Sequence, residues 1–422
     1  MQDRRVEDQA PGAGTPNGDR PCPSRGAGGA GAAPGPLPGL PGLLDGPVAV
    51  IGAGSGGRST AGQLALLGAR VRLFNLPDLP ETPALLGPVR ESGGVELSGM
   101  LGARRVMVQV ADSLEAALAD ARWVFVSVTA QAHASLARLM GPFAEGRVFV
   151  LLPGRTLGAY AFWRGLQGTP AGQAAVAANP PSCIVAETHS LPYVARLGSG
   201  PSVTVAAIKK WLALGAIPAG SAVGVCAVLR ALWPGLHPVA STLQTGLMNL
   251  GAMIHPATMV LNAARVEATG GGYPFYGEAI TPSVAAVIGA LDLERRAVAA
   301  ALGAEVPSLV ELTAWSYDLP EGDLLSMLRA NRAYEVGLMP AQLAHRYLDE
   351  DVPTGLVPIA DLARRAGVPA PVTESILQLA SIIRGRDYRR EGRTLASLGL
   401  EGVAVPSLLE ALKGGDPAPR VR

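Results

Sequence analysis

From Pro47 to about Asn179 the chain alternates short apolar runs with stretches whose apolar residues recur at helical spacing. The runs lie at 47–51, 70–74, 105–110, 122–128 and 147–152. The helical stretches fall near 56–67, 113–119, 131–140 and 156–166. Strands alternating with helices of this length predict βαβ units around a parallel sheet. Further strand-like runs follow at 183–186 and 203–205. Residues 211–229 carry no charge, yet Pro218 and three glycines break them up. They are too weakly lipophilic for a spanning helix and predict strand, turn and helix in a soluble core. Beyond about residue 221 helical periodicity dominates as far as Leu412, with stops at Pro256, Gly270 to Gly272, Pro307, Pro340 and Pro353. Thr281-Pro282 supplies a capping hydroxyl and a first-turn proline, the signature of a helix start. The pattern therefore predicts an α/β domain over 47–220 and an all-α domain over 221–413.

The ends differ from this body. Residues 1–46 contain 19 Gly or Pro and little aliphatic periodicity. Such a composition cannot offset the entropy of ordering, so it reads as a disordered tail, and 414–422 as a flexible C-terminus. The whole chain is 48% hydrophobic and 16% charged, which excludes disorder as its general state. A net charge of +1 gives no field to attract nucleic acid or an anionic membrane. Three dispersed cysteines support neither a disulfide framework nor a thiolate metal site, and no metal is expected. No apolar stretch follows Arg4 and Arg5 as in a secretory signal, so the expected location is cytoplasmic. Lysine occurs only at 209, 210 and 413.

Chemistry enters at Gly52-Ala53-Gly54-Ser55-Gly56-Gly57, which fits G-x-G-x-x-G through Gly52, Gly54 and Gly57. It follows a strand and opens a helix, and a second strand comes at the expected distance. In such a loop the first glycine makes the turn and the second admits a pyrophosphate. The third lets helix and strand pack closely, while the helix N-terminus stabilises the phosphate charge. The expectation is a Rossmann-type domain binding NADP or NAD. The acidic residue that selects NAD at the end of the second strand is replaced by Asn75, an amide that suits either cofactor. Arg58 and Arg72 are the cations within reach of a 2′-phosphate.

Of five histidines, His133, His189, His237 and His345 read as surface or loop residues. His255 lies in an apolar helical segment, Gln244 to Ala257, and Pro256 disfavours helical geometry beside it. A ring that titrates near neutrality, set at a break in a buried helix, is suited to acid–base work. A satisfied core histidine is the bland alternative.

The Asn249-x5-His255-Pro256 segment resembles the helical domain of the octopine/nopaline (opine) dehydrogenases. So do Ile280-Thr281-Pro282-Ser283-Val284 and the run from Ala290 to Arg296. The longest matching motif runs Arg346-Tyr347-Leu348-Asp349-Glu350-Asp351-Val352-Pro353-Thr354-Gly355-Leu356-Val357-Pro358. The resemblance spans about 47–390 and leaves the N-terminal tail outside. It implies reductive joining of an amino acid to a 2-keto acid with NADH or NADPH. It also implies His255 as the acid/base, Asp351 as its partner and Arg346 beside a substrate carboxylate. Gln131 and Thr156 fall where the family's α/β domain contacts substrate, and Trp315 and Tyr317 are further candidates for the amino-acid pocket. The implied partners are these small molecules; a homodimer stays among the open assemblies.

Two other readings share the outline. A β-hydroxyacid or ketopantoate-type dehydrogenase needs a helix lysine, which the stretch between Lys210 and Lys413 lacks. A non-catalytic NAD(P)-binding protein would have no use for His255, Arg346 and Asp351 together.

Overall fold

The computed structural model describes residue 40 and residues 42–414, apart from 78, 179, 180, 321 and 336. The expected tail, up to residue 39 and at 41, and the C-terminus beyond 414 lie outside these residues. Part of the expected tail is packed: Leu43 is buried in the core and Leu40 packs against it.

Among the described residues, twelve strands form two sheets. They are β1 (Pro47–Ile51), β2 (Arg70–Phe74), β3 (Gly94–Gly99), β4 (Arg104–Met107), β5 (Gln109–Val110) and β6 (Trp123–Val126). The rest are β7 (Val148–Leu151), β8 (Ile184–Thr188), β9 (Tyr193–Leu197), β10 (Ser202–Ile208), β11 (Leu212–Ile217) and β12 (Leu236–Pro238). The main sheet has the order β12-β11-β8-β7-β6-β1-β2-β5. It is parallel except where β11 runs against β8. Strands β1, β6 and β7 are buried throughout, which explains their continuous apolar runs: helices cover both faces of such a sheet.

The structure departs from the expected pattern in four places. The run 105–110 is not one strand. It breaks at Val108 into β4 and β5, which join different sheets. A separate four-stranded sheet, β4-β3-β10-β9, takes up 203–205 and the neighbouring hairpin. Residues 211–229 form strand, turn and helix as expected, but β12 extends the main sheet past residue 220. The helical part therefore starts at Thr242.

The fourth departure concerns Pro256, which stops nothing. The helix Leu250–Leu261 runs straight through it. Proline in a helix interior costs about 3 kcal/mol. Leu250, Met253, Ile254, Met259 and Val260 are all buried on this helix, and each full burial is worth roughly 1.5–3 kcal/mol. Packing wins, with the helix held among Pro282–Ala301, Pro371–Arg384 and Arg346–Asp349. Pro353 likewise sits inside a π-type turn, Val352–Leu356, that leads directly into the helix Val357–Ala366. Thr281 caps its helix as predicted, accepting from the Val284 amide. Among the described residues no helix is long and apolar enough to cross a membrane.

Candidate active site

The glycine loop leaves β1 and enters the helix Ser55–Leu66. Gly52 has φ +106°, and a Cβ there would lie 2.2 Å from the Ser127 carbonyl oxygen. A Cβ on Gly57 would come within 1.7 Å of the Gly52 carbonyl oxygen, so this glycine permits the close packing of turn and helix. Beside Gly54 nothing lies within 4 Å. Its side of the loop is open where a pyrophosphate would approach, and no side chain caps the helix N-terminus. The residues present fit a dinucleotide.

Asn75 is placed differently from expectation. Its carbonyl accepts from the Ala53 amide at 3.3 Å and its amide donates to Thr82 Oγ1 at 2.7 Å. It braces the glycine loop against the next helix and is buried, rather than presenting its amide to a ribose. Neither suggested phosphate ligand is available. Buried Arg58 donates to the carbonyls of Gly200, Ser202 and Leu85, and Arg72 donates to those of Ala116 and Ala119.

His255 and Asp351 do come together. His255 Nδ1 lies 2.7 Å from Asp351 Oδ2, and the second carboxylate oxygen takes Arg155 Nη1 at 2.9 Å. Asp351 is fully buried. Burial alone would raise its carboxyl, but the charges of Arg155 and His255 outweigh that and hold it below the ordinary range. Arg155 is fixed in turn by Asn249 Oδ1 at 3.3 Å and by Glu350 Oε1 at 3.6 Å. On the other side of the imidazole, Nε2 lies 3.4 Å from the Tyr276 hydroxyl. Tyr347 stacks on the ring with centroids 4.0 Å apart, and Phe275 meets it edge-on at 5.8 Å. The result is a histidine locked in position, with one nitrogen committed to a carboxylate and the other facing the cleft.

That cleft, about 410 Å³, is lined from both halves of the chain: Ser55, Arg155, Arg196 and Lys209 from the first, and His255, Tyr276, Tyr317, Tyr334, His345, Arg346 and Tyr347 from the second. Arg346 lines the cleft, half-exposed, with its Nε 3.4 Å from Glu350 Oε2. Lys209 Nζ donates to the Leu191 carbonyl at 2.8 Å and sits 5.5 Å from the centre of the Tyr317 ring. Burial, helped by the charge of Arg155, pushes Lys209 down to about 7. A bound carboxylate would restore its full charge. A larger depression, about 630 Å³, lies beside Pro47, Arg70 and Arg90. It is at the wrong end of the parallel strands, since ligands of such sheets bind beyond the carboxyl ends.

Gln131 and Thr156 do not line the cleft. The Gln131 amide donates to the Asp349 carbonyl. Thr156 is buried, its hydroxyl donating to the Gly246 carbonyl at 2.8 Å and its amide to the Thr354 carbonyl at 3.2 Å. Both join the α/β half to the helical half. Tyr317 reaches the cleft, whereas Trp315 packs on Trp211. His133 and His189 are buried, not superficial, and burial together with nearby cations (Arg393 and Arg155 for His133, Lys209 for His189) pushes each ring down, while His345 faces the cleft. The sequence reading missed Arg155, one residue from Thr156, and Lys209, whose only signal was the rarity of lysine. Among the described residues no group of three or more His, Cys, Asp or Glu could hold a metal.

A Rossmann-type sheet with a glycine loop, joined to a helical domain carrying a His–Asp pair, defines a two-domain nicotinamide-dependent dehydrogenase. Residues 238–384 match the family described as NAD/NADP octopine/nopaline dehydrogenase, alpha-helical domain. Over 368 residues the chain is 33% identical to an opine dehydrogenase of Arthrobacter sp. (strain 1C), covering 86% of this chain and 98% of that one. It is 26% identical over 369 residues to the protein ocs of Agrobacterium tumefaciens (strain Ach5), covering 87% and 99%. A solved octopine dehydrogenase in complex with NADH and agmatine shares the fold, with a TM-score of 0.71 at 20% identity over 88% of this chain and 98% of that one. The chain belongs to the opine dehydrogenase family and is an NAD(P)-dependent dehydrogenase.

Proposed function

We propose that this enzyme condenses an amino acid with a 2-keto acid and reduces the product to a secondary amine bearing two carboxylates. The observation that carries this reading is the His255–Asp351 pair, 2.7 Å apart, opening on a cleft with four cationic side chains. Two substrate carboxylates need such cations, and guanidinium forks match them best. Arg346 and Arg196 face the cleft for this purpose.

His255 donates Nδ1–H to Asp351, so Nε2 is left to accept a proton from the substrate ammonium. The freed amine attacks the keto carbon to give a carbinolamine. Nε2–H then protonates the departing hydroxyl, water leaves, and a protonated imine (iminium) forms. Asp351 stabilises the imidazolium between these steps, and Arg155 keeps Asp351 ionised. Gly52, Gly54 and Gly57 would hold the pyrophosphate of a reduced nicotinamide dinucleotide, which would supply the hydride that reduces the iminium to the secondary amine. Tyr347 and Phe275 restrict the ring to one plane, so that the proton is held where the carbonyl oxygen must sit.

Oxidation of NADH and NADPH, followed with a panel of keto acids with and without amino acids, tests the proposal. Turnover should require both substrates. Equal turnover with a keto acid alone would make the enzyme a hydroxyacid dehydrogenase instead.

A further inference from the structure

The walls of the cleft carry information about the amine. Among its described lining residues none is Asp or Glu. Asp351, which meets His255, and its neighbour Glu350 are both sequestered. Asp351 is buried between His255 and Arg155, and Glu350 is buried against the Ala130 amide, Arg155 and Arg346. Facing the cavity are Arg155, Arg196, Lys209 and Arg346. With Lys209 protonated, as beside a bound carboxylate, four cations against two carboxylates leave two positive charges. An amino acid with a neutral reacting amine and a neutral side chain, together with a keto acid, brings two negative charges. The balance closes without a charged side chain on the amine.

A guanidinium or ammonium on that side chain would add an uncompensated cation. Removed from water, an arginine side chain must satisfy five N–H donors, and without a carboxylate here it would depend on hydroxyls and carbonyls. Tyrosine faces could attract it, but cation–π contacts give only about 0.5–2 kcal/mol. One face of most of these rings is also taken. Tyr276 and Tyr334 stack on each other with centroids 3.9 Å apart, Tyr347 stacks on His255, and Lys209 lies over Tyr317. What remains is an aromatic wall suited to apolar contact. Lys209, pinned at Leu191 beside Tyr317, stands where a second cation would be repelled.

We propose that the amine substrate is an amino acid with an uncharged, apolar or aromatic side chain, and that Lys209 is the residue that excludes cationic ones. This rests on the condensation reading above. The test compares amino acids of similar size, L-norleucine against L-lysine and L-phenylalanine against L-arginine, with pyruvate and NADH or NADPH at pH 6, where Lys209 carries its charge. In the wild type kcat/KM should favour the neutral member of each pair by roughly 30-fold or more, the scale of a lost charge contact. Lys209→Met should reduce that ratio by about 10-fold, whatever its effect on absolute rate. Equal or better use of lysine or arginine by the wild type would overturn the proposal. So would an unchanged ratio in Lys209→Met, which would make Lys209 a contact common to all amines. Oxidation that needs no amine at all would instead remove the condensation reading, a result distinguishable from either.

Discussion

Residue 54 has free space beside it, whereas residue 57 has a carbonyl oxygen 1.7 Å from the position of a Cβ. The two glycines of one motif should therefore fail in different ways. Gly54→Val should fold with nearly wild-type thermal stability yet lose affinity for both NADH and NADPH by calorimetry, because its methyls fill the pyrophosphate space. Gly57→Ala forces the Gly52 turn to move and should lower stability before any question of binding arises. Unaltered affinity in Gly54→Val would remove the loop from the cofactor site. At the acid–base centre, His255→Ala should keep cofactor affinity and lower kcat by roughly 100-fold or more. Asp351→Asn should lower kcat comparably, since an amide can turn its NH2 toward His255 and spoil the tautomer. It also leaves the Arg155 guanidinium facing a neutral group in a buried setting, so a fall in Tm should accompany the loss of rate. Full turnover by either variant would exclude that residue from proton transfer.

Among the elements, the segment after β7 is the one that sequence patterns described least well. Arg155 and Leu157 both adopt positive φ, +64° and +59°, at a cost of about 1–2 kcal/mol each. That geometry turns Arg155 toward Asp351, and no local pattern announces it. The segment rests on Glu187 of β8, whose carboxylate accepts from the Ala159 amide at 2.7 Å and from Thr245 Oγ1 at 2.6 Å. Burial pushes Glu187 up to about 7. Between an unfolded value near 4.5 and that level, the folded protein keeps a proton the unfolded chain has released. Its contribution to stability is thus complete below pH 4.5 and lost as pH rises through 7, on the order of 3 kcal/mol in all. Glu187→Gln removes the titration but keeps one acceptor. Its Tm relative to wild type should climb between pH 5 and pH 7.5 in differential scanning, and a constant difference would show that Glu187 is ionised throughout. The parallel strands, the glycine loop and the Thr281 cap were legible because each obeys a local rule. Pro256 and the 105–110 run were not, because packing of Leu250–Leu261 overrides a helix breaker and because β4 and β5 pair with strands distant in sequence. His255 stood out in the Asn249-x5-His255-Pro256 segment and Arg346 and Asp351 in one long motif, while Lys209 depended on a cleft that only the folded chain assembles.

On the scale of the whole molecule, the two halves are tied along one side and open along the other. Arg393 donates to the carbonyls of Thr156 and Ala130, Gln131 to that of Asp349, and the Ala130 amide to Glu350. With the Arg155–Asp351 pair, these contacts join residues 130–131 and 155–156 to 349–351 and 393. The cleft lies beside this seam, with Ser55 of the glycine loop and His255 on its walls. Neither half holds both the cofactor loop and the acid–base pair, so hydride transfer has to occur between them. A reacting carbon must come within roughly 3–3.5 Å of the nicotinamide, with water excluded. A seam of bonds on one side allows small rotations about itself while preserving the His255–Asp351 geometry. Cofactor binding on the first half should therefore come first, followed by partial closure and then by the keto acid and the amine. Small-angle scattering should show compaction when NAD(P)H and both substrates are present, and product inhibition should follow an ordered pattern with the dinucleotide binding first and leaving last. A rigid cleft predicts an unchanged scattering profile and random-order inhibition; that pair of results would refute closure, because each measurement reads the motion independently of the other.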